Sequence, residues 1–145
     1  MQKRVTGTIG NAMFNGLKSG LQTTFFLSKI IITVYFIITF LKYTPFIDWI
    51  SNLFSPFMNI FGLPGEASIV LVLGNVLNLY AALGAVSTLT LTVKQYTIIA
   101  VMLSFSHSLF METVVAKKIG ISVLGVILLR LTLAILSGII LNLVI

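Results

Sequence analysis

Few side chains in this sequence could do chemistry. Asp48, Glu66 and Glu112 are its only acids, His107 is its only histidine, and it has no cysteine. One histidine without thiolates cannot assemble a zinc constellation, so neither a metal nor a cofactor is expected. No nucleophile stands beside a base and no glycine loop is spaced to cradle phosphate, so the chain does not read as an enzyme. What remains is recognition. An acid or arginine at membrane depth is expensive and marks a functional site by default, which singles out Glu112 and, in the long apolar run 119–145, Arg130. The residues expected to bind a substrate are Glu66, Asn75, Asn78, His107, Ser108 and Glu112, with Arg130 as their charge partner.

Each has a plainer alternative. Glu66 follows Pro64-Gly65 and could sit in the first turn of a helix, where the dipole favours a carboxylate. Glu112 could pair at the interface with Lys117 and Lys118. His107 could be a neutral hydrogen bonder between helices, and Asn75 and Asn78, three apart beside Gly74, could be interhelical glue. Ser104, Ser108 and Glu112 recur every four residues and share one face if the helix continues through them. Arg130 shares a face with Ala134 and Ser137, small residues that admit a neighbouring helix. The expectation is that Glu66 and Glu112 line one polar cavity with Arg130 in reach.

The elements that must hold these groups belong to a membrane protein. Of 145 residues 58% are hydrophobic, against 9 Lys+Arg and 3 Asp+Glu. A charged fraction of 8%, where a soluble domain carries about a quarter, excludes a water-soluble globule. The net charge of +6 is too scattered for a nucleic-acid surface and informs topology instead. Residues 1–24 carry a polar stripe (Thr8, Asn11, Asn15, Lys18, Gln22) and read as an amphipathic interfacial helix, with a glycine-loosened leader as the alternative. No signal-peptide pattern is present. One membrane domain, 25–145, follows. Its expected spans are 25–42, 67–93 and 119–145, each near or above the length needed to cross a bilayer.

Two segments fit a full crossing poorly. Residues 46–66 hold Asp48, Trp49, Asn52, Ser55, Pro56 and Asn59, and end in the breaker cluster Gly62-Leu63-Pro64-Gly65. Residues 96–116 leave only 17 uncharged residues between Lys94 and Glu112, the last of them including Ser104, Ser106, His107 and Ser108. Both are expected as re-entrant hairpins. If 96–116 returns to its side of entry, Lys94, Lys117 and Lys118 join Lys3, Arg4 and Lys18 on one basic face. That face is cytoplasmic by the positive-inside rule, with Lys42 and Ile145 outside. If the segment crosses, the chain has four plain spans and a weaker bias.

A self-comparison supports two hairpins. Leu63-x-x-Glu66 recurs as Leu109-x-x-Glu112, and Gly74 recurs as Gly120, all 46 positions apart. Two such units separated by one crossing would form an inverted repeat, with their broken tips meeting near the midplane. The expected fold class is thus an all-α integral membrane protein, transmembrane helices with two re-entrant hairpins in an inverted repeat.

The strings Gly62-Leu63-Pro64-Gly65-Glu66-Ala67, Gly74-Asn75, Asn78-x-Tyr80, Ser106-His107-Ser108-Leu109, Glu112-Thr113 and Lys117-Lys118-x-Gly120 resemble the nucleoside recognition, or Gate, family over nearly the whole chain from about Gly16 onward. That family includes spore maturation proteins A and B and the Gate segments of ferrous iron transporters. The resemblance implies a bacterial or archaeal multi-pass protein of the cell (inner) membrane, amino terminus cytoplasmic, built on transporter-like hairpins. It implies no substrate, and the missing GTPase domain and cysteines depart from the iron transporters. Two functions follow as expectations: a transporter-like subunit with a polar site at hairpin tips, for nucleosides or other small polar solutes; or a non-transporting accessory protein of a membrane complex, as in spore maturation. The chain is too small to enclose a path alone. Its expected partners are therefore the lipid bilayer and either a second copy, as a homodimer or larger homo-oligomer, or a sister membrane subunit.

Overall fold

A computed structural model describes residues 9–145, and seven helices make up most of them. They are α1 Ile9–Lys42, α2 Pro45–Asn59, α3 Ala67–Val76, α4 Leu79–Val86, α5 Val93–Ser106, α6 Leu109–Lys118 and α7 Val123–Val144. Three stretches are long and apolar enough to cross a membrane: Ile9–Lys42, Val93–Lys118 (α5 with α6) and Val123–Val144. The expected amphipathic helix over 1–24 is, from Ile9 on, the first half of α1; residues 1–8 lie outside the described residues. No break separates it from the span, because the polar stripe interrupts neither helical hydrogen bonding nor propensity enough to end the helix. At 1.5 Å per residue α1 is about 51 Å long, well beyond a hydrocarbon core of about 30 Å.

One end of the bundle is defined by tethers. Lys42 donates to the carbonyl of Thr88. Lys94 donates to the carbonyl of Asn142 (2.8 Å), and Gln95 Nε2 donates to that of Gly62 (3.2 Å). Asn142 Nδ2 in turn donates to Ile60 O. The end of α1, both ends of α2, the start of α3, the loop after α4, the start of α5 and the end of α7 therefore gather there. At the other end α6 turns into α7 through Gly120 (φ 78°), with Gly120 N–H to Lys117 O and Ile121 N–H to Ala116 O closing the helix.

Both expected hairpins are corrected by these tethers. Residues 46–66 form no hairpin: α2 is one helix capped by Thr44 with Pro45 in its first turn, and Pro56 does not break it. It lies across the tethered end and leaves Phe46, Trp49, Leu53 and Phe57 exposed, an aromatic face suited to the membrane interface. Gly62 (φ 66°) stops it, where a Cβ would collide with the Asn142 side chain. Residues 96–116 do not fold back either. Lys94 sits at the C-terminal end of α7 and Lys118 beside its N-terminal end, so α5 and α6 run the length of α7 as a broken crossing. Met102 and Phe61 press on Gly138, which lets α5 approach α7 closely.

The segment that does fold back is 67–93, expected as one span. It breaks at Leu77 (φ −95°, ψ −88°), and Asn78 starts α4 by accepting the Ala81 N–H at 3.0 Å. A Cβ built on Gly74 would lie 3.2 Å from the Ala82 Cβ, a contact that a continuous helix cannot make across two turns. The outer arm α4 packs on α1 through Gly84, whose added Cβ would lie 2.7 Å from the Ile31 carbonyl. The core is made where the hairpin meets α5: Val70, Leu71, Ala82, Ala85, Ile98, Ile99, Met102 and Leu103 are all buried. Apolar composition alone hid this turn, because both arms are as apolar as a span.

The 46-position self-similarity is not carried into equivalent units. Gly74 lies inside α3 against Leu103, whereas Gly120 ends α6. Glu66 precedes α3 and Glu112 lies within α6.

Candidate functional site

The turn of the α3–α4 hairpin ends beside the break between α5 and α6. At that break His107 is extended (ψ 152°) and Ser108 is left-handed (φ 54°, ψ 40°), the one described non-glycine residue with positive φ. The Ser108 N–H, which would otherwise continue the helix, donates instead to Gly74 O at 2.9 Å. The hairpin arm and the broken crossing are thereby joined by main chain.

Arg130 closes the same junction from α7. Its Nε donates to Phe105 O at 2.6 Å and its Nη2 to His107 O at 3.2 Å. These carbonyls belong to the C-terminal end of α5, where helix geometry leaves acceptors unpaired and the dipole attracts a cation. Nη1 stands 3.5 Å from Glu112 Oε2, with side-chain exposures of 17% for the arginine and 47% for the glutamate. The deep arginine is thus neutralised by one acid and two carbonyls. Sequence reasoning supplied the acid and missed the carbonyls, which exist only because the helix breaks. From Arg130 to Asn142 is about 18 Å of helix, so the junction lies deep below the tethered end.

Asn75 and Asn78 sit at the hairpin turn. The Asn78 side chain is a helix cap, while Asn75 Oδ1 is buried with no hydrogen-bond partner. His107 Nδ1 bonds Leu103 O at 2.8 Å. The expected shared face of Ser104, Ser108 and Glu112 is interrupted, because the break at 107–108 falls inside it.

Glu66 does not join this group. It stands 3.8 Å from Lys42 at the tethered end, with 39% of its side chain exposed. The two carboxylates therefore have different partners at different levels, and the cavity expected between Glu66 and Glu112 is not formed. Of the seven residues singled out from sequence, the structure gathers Asn75, Asn78, His107, Ser108, Glu112 and Arg130. It adds the carbonyls of Gly74 and Phe105, which no side-chain pattern could reveal. No group of three metal-ligating side chains occurs among the described residues.

Long apolar helices, a helix with an exposed aromatic face and a polar junction between helices define an all-helical membrane protein. The nucleoside recognition family, Gate, matches residues 24–127, and the chain belongs to that family. It is 49% identical over 129 residues to the uncharacterized membrane protein YvoD of Bacillus subtilis (strain 168), a match covering 89% of this chain and 41% of that protein. The chain thus spans about two fifths of that relative's length. No solved structure matches.

Proposed function

We propose that this chain is a transporter-like membrane subunit whose solute contacts are made where the α3–α4 turn meets the α5–α6 break. The observation that carries the reading is the Ser108–Gly74 main-chain bond, because it brings two non-helical turns together far from either end of the bundle. Irregular backbone at membrane depth is tolerated only where protein buries it or it lines a watery cavity. On this reading α3–α4 is a re-entrant hairpin. The free Asn75 Oδ1, Asn78, the Ser108 hydroxyl and Glu112 offer a small polar solute both donors and acceptors. Arg130 holds the break and pairs with Glu112. Glu66, paired with Lys42, serves the tethered end and lies outside the solute site.

Family membership makes nucleosides the first solutes to test. The site is open to one side of a single chain, so a second copy or a sister subunit completes it. Lys18, Lys117 and Lys118 lie toward one end, and Lys42 and Lys94 at the other. On this proposal the amino terminus is cytoplasmic in a cell-membrane protein and Ile145 is outside, a reading supported by the excess of lysines toward the amino-terminal end. The reading assigns no catalytic step.

The test is a thermal-unfolding series on the protein in lipid nanodiscs with purine and pyrimidine nucleosides, free ribose and choline. A nucleoside-specific rise in melting temperature that Asn75→Ala abolishes, with the oligomer intact, supports the solute site. No shift with any solute, in a protein of unchanged fold, would favour the accessory role instead.

A further inference from the structure

A cavity lies on the flank of the hairpin, next to the polar junction, with which it shares His107. It has a volume of about 470 Å³ and runs between α4 and α5, walled by Leu79, Leu83, Val86, Ile99 and Leu103. That volume falls in the range of small-molecule sites. Only three of its lining residues carry polar side chains: Tyr96, Ser104 and His107.

The protons of all three are already committed to backbone carbonyls. Tyr96 Oη donates to Leu89 O (3.3 Å), Ser104 Oγ to Val101 O (2.7 Å), and His107 Nδ1 lies 2.8 Å from Leu103 O. A carbonyl can only accept, so Nδ1 carries the proton of the neutral ring and Nε2 is left as an acceptor. Nε2 has no hydrogen-bond partner among the described residues. Hydroxyl oxygens that donate once keep lone pairs as well. The cavity therefore offers acceptors and no side-chain donor, on walls otherwise apolar.

We infer that the cavity between α4 and α5 binds a neutral, largely apolar small molecule that carries an N–H or O–H donor, held by His107 Nε2. An acyl chain would fill the walls but leave the acceptors without donors, which is unfavourable away from water. A cation would satisfy them, but no acid lines the cavity to compensate its charge. An acceptor-only ligand finds nothing to bond. An N–H heteroaromatic ring fills the apolar walls and gives His107 Nε2 its donor. The inference goes beyond the solute reading above: that site uses the His107 carbonyl and the hairpin turn, this one the imidazole ring and the opposite flank of α5.

The experiment is thermal unfolding of the whole protein in lipid nanodiscs, titrated with three probes of similar size: indole (donor), 1-methylindole (no donor) and quinoline (acceptor only). Indole is expected to bind about three- to tenfold more tightly than the other two, the worth of one neutral hydrogen bond. His107→Phe should bring the three probes to equal affinity. Ala100→Trp, which fills the cavity from an exposed position, should abolish binding of all three. Quinoline binding as tightly as indole, no binding by any probe, or unchanged binding in Ala100→Trp would overturn the inference. If His107→Phe does not fold, the probe ranking on the unsubstituted protein and the Ala100→Trp result decide it. Nucleoside binding at the junction is read separately through Asn75→Ala, so either site can fail without the other.

Discussion

The amide of Ser108 donates to the carbonyl of Gly74 at 2.9 Å, and this bond joins a left-handed residue in a broken crossing to the last turn of a hairpin arm. A serine in that conformation is held by its surroundings, since the left-handed region costs an ordinary residue about 1–2 kcal/mol. Ser108→Gly should therefore keep the fold and raise stability by about 0.5–1 kcal/mol. Ser108→Val, β-branched at a positive φ, should lower the melting temperature. A valine variant as stable as the glycine variant would show that the break is not constrained.

Arg130 supplies the donors that the break needs. Arg130→Ala leaves Phe105 O and His107 O without them and Glu112 without its partner. The expected cost is about 2–6 kcal/mol, one to three for each of the two carbonyls, seen as a lower unfolding temperature in nanodiscs. Arg130→Lys should recover only part, because an ammonium is a point donor and cannot reproduce the guanidinium fork. Adding Glu112→Gln to Arg130→Ala should cost less than the sum of the two single changes if the pair is coupled.

The course of α5 and α6 sets Lys94 and Lys118 at opposite ends of the bundle, and the proposed orientation puts Lys94 outside. In cells carrying single cysteines, one at Lys94 should react with an impermeant thiol reagent from outside, and one at Lys118 only after permeabilisation. Equal access from one side would restore the fold-back over 96–116 that the tethers exclude.

Close helix approach carries the fourth prediction. Gly84 touches the Ile31 carbonyl, so Gly84→Leu should push α4 away from α1 and destabilise by about 1–3 kcal/mol. Gly120→Ala meets no atom within 4 Å, so its cost is only that of a positive φ, about 1 kcal/mol. The larger fall in melting temperature should thus belong to Gly84.

The sequence by itself determined the solvent and the class. A charged fraction of 8% and long apolar runs require a bilayer, and two of those runs lie in α1 and α7 because hydrophobic length is a local property. The same holds for the polar residues worth naming: Asn75, Asn78, His107, Ser108, Glu112 and Arg130 stand out because polarity is scarce around them. Tertiary structure alone decided which segment folds back. A hairpin arm and half a span are equally apolar, and what separates them is a contact between Gly74 and Ala82 that no periodicity records. It also decided how Arg130 is neutralised and that Glu66 stays with Lys42. Carbonyls have no letter in a sequence; they become partners only when a helix breaks and a neighbouring helix brings a donor to them.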